Sequence, residues 1–121
     1  MTEGFVVEQQ GHITIHRFTE SSDKAVNAWR AALISQFESD QPFAVLLDVS
    51  AKQVSFTAYA RQTTKALFSQ YRMRQGRFAC LFSSRTAPYY ARIFFASLGR
   101  LNFAIGTFSS RDAALEWLRR G

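Results

Sequence analysis

Cysteine is nearly absent from this chain of 121 residues, and long apolar runs are missing altogether. The single cysteine, Cys80, has no partner for an intrachain disulfide and fits a reducing compartment. Its apolar neighbours predict a buried structural thiol, not a nucleophile. No segment reaches the roughly 18 to 20 apolar residues that span a bilayer, and the first four residues lack the features of a secretory signal. We therefore expect a cytosolic protein without a transmembrane segment.

Motifs of catalysis and metal binding are also missing. The six glycines are scattered singly, so neither a phosphate-binding loop nor the Gly-x-Ser-x-Gly motif of serine hydrolases is present. The two histidines, His12 and His16, fall on a predicted strand. At about 3.3 Å per residue they lie roughly 13 Å apart, too far to share one metal ion. We expect no enzyme, no metal site and no cofactor.

Acidic residues are missing from Val49 to Arg111, a stretch that carries ten basic residues. The first 48 residues carry 7 acids and 3 bases, a net charge of −4, whereas the rest of the chain carries 2 acids and 12 bases, a net charge of +10. The second half therefore produces a positive field. An acidic partner, an anionic ligand or the chain's own acidic first half could neutralise this positive charge. A basic face that is simply solvated would explain the charge pattern equally well.

Large apolar side chains, in contrast, are abundant. Hydrophobic residues make up 47% of the chain, with 12 Phe, 4 Tyr and 2 Trp. This length and composition are typical of a single domain covering residues 1–121. The aromatic rings exceed what a small core needs, which indicates that some lie in an interface. Aromatic and basic residues alternate between Tyr71 and Arg100, but the core needs most of those rings, so nucleic acid is not the expected partner.

The hydrophobic periodicity predicts alternating strands and helices. Two β-branched stretches around Gly11 predict an antiparallel hairpin, and the apolar run Phe43 to Val49 predicts a central parallel strand. The predicted strands are 5–8, 13–16, 43–49, 77–82 and 102–108, and the four helices begin near Asp23, Ser55 or Thr57, Pro88 and Ser110. We therefore predict an α/β fold in which a single mixed β-sheet, with an N-terminal antiparallel hairpin and then β-α repeats, is flanked by four helices.

Asp48 lies at the end of the predicted central strand, and the carboxyl ends of parallel strands are where α/β sheets form sites. A phosphoacceptor aspartate would need companion acids after the first strand and a lysine after the last, and the sequence has neither. The simpler interpretation is that Asp48 accepts backbone N–H bonds in the following loop or caps a turn.

Three segments carry a resemblance to a known family: the strand Phe43–Val49, the alternating strand Phe103–Phe108 and the ending Phe108–Leu118. With the order of elements, they resemble the STAS, or anti-sigma-factor antagonist (SpoIIAA-like), fold family. The ending is similar to that of small bacterial members that also resemble lipid-carrier CRAL-TRIO domains. The resemblance covers nearly the whole chain and implies a STAS-like domain. Its motifs are structural, so it indicates the fold more than the function.

The same resemblance implies a position for a phosphorylation switch. STAS regulators carry an Asp-Ser-Ser-Gly-type segment after the central strand, where a partner kinase phosphorylates a serine. The corresponding stretch here, Val54–Ala60, keeps hydroxyls but lacks the Asp, the paired serines and the Gly. A phosphate on Ser55 or Thr57 would lie at a helix N-terminus near Lys52 and Arg61. Both hydroxyls are therefore candidate phosphorylation sites.

The first functional hypothesis is a non-enzymatic regulatory or protein-interaction module of STAS-like type. It would bind a protein partner and form a homodimer through the aromatic helix Pro88–Leu98. That helix has more apolar residues than a single buried face requires. The surplus residues are Tyr89, Tyr90, Phe94 and Phe95.

The alternative hypothesis is a small-molecule carrier for an anionic or lipid-like ligand. Such a ligand would lie between the apolar helix and the basic faces formed by Arg61, Lys65, Arg85 and Arg92. Under either hypothesis, we expect the site near the loop from Asp48 to Thr57 and these basic faces.

Overall fold

The first two strands form the antiparallel hairpin that the β-branched stretches predict. In the computed structural model, which describes residues 3–120, β1 spans Phe5–Gln10 and β2 spans Ile13–Phe18. Gln10 pairs with Ile13 across a two-residue turn, where Gly11 has a φ of 61° that favours glycine. Each strand is two residues longer than predicted, because pairing continues along the whole hairpin.

Three parallel strands extend the sheet beside the hairpin. They are β3 (Phe43–Asp48), β4 (Gly76–Leu81) and β5 (Ala104–Phe108). The strands lie in chain order, β1-β2-β3-β4-β5, and every pair after the hairpin is parallel. β5 begins two residues later than predicted, and Phe103 packs into the core just ahead of it. The predicted mixed sheet is confirmed.

Four helices connect or follow the parallel strands. They are α1 (Asp23–Phe37), α2 (Ala58–Gln70), α3 (Ala87–Ala96) and α4 (Arg111–Arg120). The side chains of Ser22 and Thr57 cap α1 and α2, and Pro88 lies in the first turn of α3, where its missing N–H costs nothing. Within residues 3–120, no helix combines the length and the apolar character that crossing a membrane requires.

The sheet buries a separate core on each face. Because the strands lie in chain order and the crossovers share one hand, α1, α2 and α3 pack on the same face, the three-helix face, and α4 packs on the other, the α4 face. The α4 face buries Ile13, Ile15, Leu46, Ala79, Leu81, Ala114, Leu115 and Leu118. The three-helix face is more aromatic, and its buried rings are Phe5, Phe18, Trp29, Phe37, Phe43, Phe68, Phe78 and Phe103.

Candidate functional site

A cavity of about 530 Å³ opens on the three-helix face, at the carboxyl ends of β3 and β4. Leu47 of β3 and Phe78 and Cys80 of β4 line it from the sheet, and Val26 and Trp29 line it from α1. The remaining walls come from α2, from α3 and from the loops that follow β3 and β4. The carboxyl edge of a parallel sheet is where α/β folds bind ligands, and the volume falls within the range of small-molecule sites.

The cavity is apolar at its floor and polar at its opening. Phe78 and Cys80 are 0% and 1% exposed, and burial raises the pKa of the Cys80 thiol, which is therefore neutral and unreactive. Arg61, at the start of α2, is an exposed lining residue. Its Nη1 donates to the carbonyl oxygen of Phe56 at 2.8 Å, and its guanidinium carbon lies 6.0 Å from the centre of the Phe56 ring.

Hydrogen bonds fasten one wall of the cavity, the loop between β3 and α2, to the start of α1. The Ser21 hydroxyl donates to the carbonyl oxygen of Gln53 at 3.3 Å and accepts from the backbone N–H of Ser55 at 2.6 Å. The Tyr59 hydroxyl donates to the side-chain oxygen of Asn27. Because these bonds join segments more than 30 residues apart, they hold this wall in place.

The opposite wall, α3, is packed more loosely. Pro88 is its one buried residue. Phe94 meets Phe56 edge-on at a centroid distance of 5.0 Å, and Phe95 stacks on Phe68 at 5.8 Å. The Phe56–Phe94 pair is thus a contact between the two walls beside Arg61.

The outer side of α3 is exposed and aromatic, and one of its exposed rings, that of Tyr90, also borders the cavity. Tyr89, Tyr90 and Ile93 are 62%, 67% and 55% exposed. The sequence groups Phe94 and Phe95 with the two tyrosines as surplus apolar surface, but both phenylalanines line the cavity and are half-buried. The free apolar surface of this helix is therefore narrower than expected.

Asp48 lies away from the cavity. Successive residues of a strand point to opposite faces, so Leu47 lines the cavity and Asp48 is buried on the α4 face. Its Oδ1 accepts from the backbone N–H of Ser50 at 2.9 Å and from the Ser50 hydroxyl at 2.5 Å, and its Oδ2 lies 3.6 Å from Nη1 of Arg111. This is the simpler role that the sequence suggests, in which Asp48 holds the loop after β3.

The two candidate phosphorylation sites occupy different positions. Ser55 is exposed and lines the cavity. The Thr57 hydroxyl oxygen accepts from the backbone N–H of Ala60 at 3.1 Å and caps α2. Phosphorylation of Ser55 or Thr57 stays a prediction.

The four predicted basic ligands do not converge on the cavity. Arg61 lines it, whereas Lys65, Arg85 and Arg92 are exposed and lie outside its lining. Lys65 lies one helical turn after Arg61, further along the same side of α2 and beyond the lining, and Arg92 follows the lining residue Ala91 on α3. These three residues contribute a surrounding positive field instead of direct contacts.

The two histidines lie in unlike environments. His12 is exposed in the hairpin turn and directly precedes Ile13, the first residue of β2, so it is not on a strand with His16 as expected. His16 lies on β2, 1% exposed and 5.6 Å from the ring of Phe5, and within residues 3–120 neither of its ring nitrogens has a hydrogen-bond partner. Burial lowers its pKa from 6.5 to about 4, so the ring is neutral at pH 7.

Sequence reasoning missed most of the apolar lining, because the same residues read as ordinary core. Val49, Val54 and Phe82 follow the carboxyl ends of β3 and β4, where loops are normally polar. Half-buried apolar residues just beyond two adjacent strands were the available signal for a cavity at this edge.

No protein-family model matches the chain, and no curated protein matches it either. Among solved structures, an uncharacterised protein of the DUF3478 family from Shewanella loihica PV-4, described as having a SpoIIAA-like fold, is similar with a TM-score of 0.68. It is 13% identical, and the match covers 94% of this chain and 91% of that one. A protein of unknown function from Arthrobacter sp. FB24 is 26% identical over 98% of this chain and 93% of its own, but its TM-score of 0.32 is too low to support an argument. The chain therefore has a SpoIIAA-like fold, as the resemblance of its sequence to the STAS family predicts.

Proposed function

We propose that this domain is a non-enzymatic cytosolic carrier that holds one small lipid-like molecule in the cavity of the three-helix face. The observation that carries the proposal is the cavity itself, about 530 Å³ with a floor of buried apolar side chains. Native side chains normally pack at the density of organic crystals, so a space of this size in a small domain calls for an occupant. An apolar molecule would recover the hydrophobic contacts that the lining lacks.

The chemistry of the lining supports binding over catalysis. The titratable residues of the lining are Arg61, Cys80 and Tyr90. The Cys80 thiol is buried and neutral, and the part of the lining that residues 3–120 form contains no histidine or carboxylate to act as a general base. Asp48, the one acidic residue that the sequence suggests for a site, lies on the opposite face of the sheet. The proposal therefore assigns the cavity no reaction.

A neutral fluorescent apolar probe, N-phenyl-1-naphthylamine, tests the carrier function. The protein is expected to bind it at one site, with a rise in probe fluorescence and a higher unfolding temperature. Ala91→Phe places a ring in the cavity and should abolish binding, whereas Ala66→Phe, at an exposed position of α2 outside the lining, should leave it unchanged. Failure of the wild-type protein to bind the probe, or equal binding by Ala91→Phe, would contradict the proposal.

A second candidate function is protein interaction, and the outer side of α3 favours it. Tyr89, Tyr90 and Ile93 present a continuous exposed apolar surface, which suits a regulatory module that binds a protein partner or a second copy of itself. Sedimentation velocity tests self-association: the wild-type chain is expected to form a dimer at high micromolar concentration, and Ile93→Glu to be monomeric. A wild-type chain that is monomeric throughout would reject the homodimer.

A further inference from the structure

The charge pattern of the cavity indicates which class of molecule it takes, an inference that rests on the carrier function proposed above. Arg61 is the one charged residue of the lining, which contains no carboxylate. A cationic head would find no counter-charge there, and its desolvation would go uncompensated. An anionic head would meet Arg61 inside the wider positive field of the acid-free stretch from Val49 to Arg111.

Arg61 is also held in an orientation that suits an anion at the opening. The hydrogen bond from its Nη1 to the Phe56 carbonyl oxygen, 2.8 Å long, and the nearby Phe56 ring fix the guanidinium beside the Phe56–Phe94 contact. A guanidinium has five N–H donors, and the bond to Phe56 uses one of them. The others are sufficient for a two-point contact with a single carboxylate.

Two hydroxyl groups of the lining are committed to the protein, whereas the indole Nε1 of Trp29, a lining residue that is 2% exposed, has no hydrogen-bond partner among residues 3–120. The Thr64 hydroxyl donates to the carbonyl oxygen of Ala60 at 2.7 Å, and the Ser21 hydroxyl bridges Gln53 and Ser55. The floor around Phe78 is fully buried and apolar. The lining therefore places its one charged side chain, Arg61, beside a mainly apolar interior, which matches a molecule with one charged head and one hydrophobic body.

A ligand with several negative charges fits this arrangement less well. Lys65, Arg85 and Arg92, which would have to pair with the further charges, lie outside the lining. One backbone donor in the first turn of α2, the Ala60 N–H, is already bonded to the Thr57 side chain. A polyphosphate would leave charges without partners at the opening.

We propose that the cavity selects monoanionic amphiphiles of the fatty-carboxylate class, with the carboxylate at Arg61 and the alkyl chain against half-buried apolar lining residues such as Leu47, Val49 and Phe82. Arg61 is then the residue that distinguishes an acid from a neutral molecule of the same length. The apolar cavity alone retains the neutral molecule.

Titration of decanoate and of decanol, measured by displacement of N-phenyl-1-naphthylamine, separates the two claims. The wild-type protein is expected to prefer decanoate by about fivefold, the amount that corresponds to an ion pair at an exposed position. Arg61→Gln removes the charge but keeps a polar side chain with N–H donors, and it should remove that preference while decanol binding stays unchanged. Lys65→Gln removes one charge from the same helix outside the lining and should keep the preference. Circular dichroism melts confirm that both variants fold.

The outcomes distinguish failure of this inference from failure of the carrier function. If both molecules bind equally well to the wild-type protein, or if the preference survives in Arg61→Gln, the assignment of the anionic head to Arg61 is wrong and the carrier function stands. If Lys65→Gln loses the preference as fully as Arg61→Gln, the discrimination comes from the general field and the assignment is also wrong. If neither molecule nor the probe binds, both proposals fail.

Discussion

The two faces of the sheet are built from the same strands but differ in how fully they are closed. On the α4 face, a single helix buries Leu115 and Leu118 against the sheet. Its last turn is held by Arg77, whose Nη1 donates to the carbonyl oxygen of Trp117 at 2.7 Å and whose guanidinium carbon lies 4.7 Å from the Trp117 ring centre. On the three-helix face, three helices leave a cavity of about 530 Å³. The face covered by three helices is therefore packed less completely than the face covered by one.

The difference lies along the strands as well as across the sheet. At the amino ends of the strands, Phe37, Phe43, Phe68 and Phe103 form a tight aromatic cluster with ring centroids 5.0 to 6.1 Å apart. At the carboxyl ends, the same face is open. α1 and α2 converge on the aromatic cluster, whereas α3, with Pro88 as its one buried residue, contributes half-buried side chains. The tightly packed end and the open end that we propose as the binding site therefore lie at opposite ends of one face.

The largest expected effect compares truncations on the two faces. Leu118→Ala removes a side chain that is 1% exposed on the α4 face and should lower the free energy of unfolding by about 2 to 5 kcal/mol. Phe94→Ala removes a larger, half-buried side chain that borders the cavity, and should cost under about 2 kcal/mol because part of its surface has no partner. Urea unfolding measures both. A larger cost for Phe94→Ala would mean that the cavity face is packed as tightly as the other.

The next effect concerns pH and the buried histidine of the three-helix face. The pKa of His16 is lowered from 6.5 to about 4 by burial, so the unfolded chain binds a proton between these values and the folded chain does not. Stability is therefore fully present above pH 6.5 and falls as the pH drops towards 4, by about 3 kcal/mol at 1.36 kcal/mol per pKa unit.

Urea unfolding between pH 7 and pH 4 measures this loss, and His16→Leu is its control. Leucine fills a similar volume without a titrating ring, so the variant should show a smaller loss over the same range. If the wild-type protein and His16→Leu lose the same amount of stability over this pH range, the loss does not come from the burial of His16.

Filling the cavity should have an intermediate effect of opposite sign. Ala91→Phe is expected to raise the free energy of unfolding of the empty protein by about 1 kcal/mol, as cavity-filling substitutions commonly do. The exposed control, Ala66→Phe, should change it by less than about 0.5 kcal/mol. Destabilisation by Ala91→Phe would show that the space beneath α3 cannot accept a ring, and the contrast between the faces would be weaker than the geometry indicates.

The contrast between faces also explains which predictions succeeded. The run from Phe43 to Asp48 and the hairpin around Gly11 carry strong local patterns, and they predicted these strands and the mixed sheet that contains them. Asp48 illustrates the limit: its place at the strand end was clear, but a shift of one residue decides the face, and Asp48 points to α4 while Leu47 points to the cavity.

The cavity itself had no local signal strong enough to predict it. α3 is apolar on much of its surface, so the sequence does not indicate which residues point inward, and Phe94, which lines the cavity, looks like Tyr89, which does not. The space under α3 depends on how far that helix stands from the sheet, which is set by tertiary packing and not by periodicity. The same lack of a local signal explains why the sequence predicts Lys65, Arg85 and Arg92 as ligand-binding residues together with Arg61, although of the four only Arg61 lines the cavity.

The smallest expected effect sharpens the comparison between the two helices that border the cavity. Thr57 caps α2 with a hydrogen bond to the Ala60 N–H, whereas Thr86 precedes α3 without a side-chain capping bond. Thr57→Ala should therefore cost about 1 kcal/mol, and Thr86→Ala a few tenths of a kcal/mol at most. Thermal unfolding of the two variants measures the difference. Equal costs would show that the start of α3 is anchored as firmly as that of α2, and the loose wall of the cavity would then have to be explained by its few buried side chains alone.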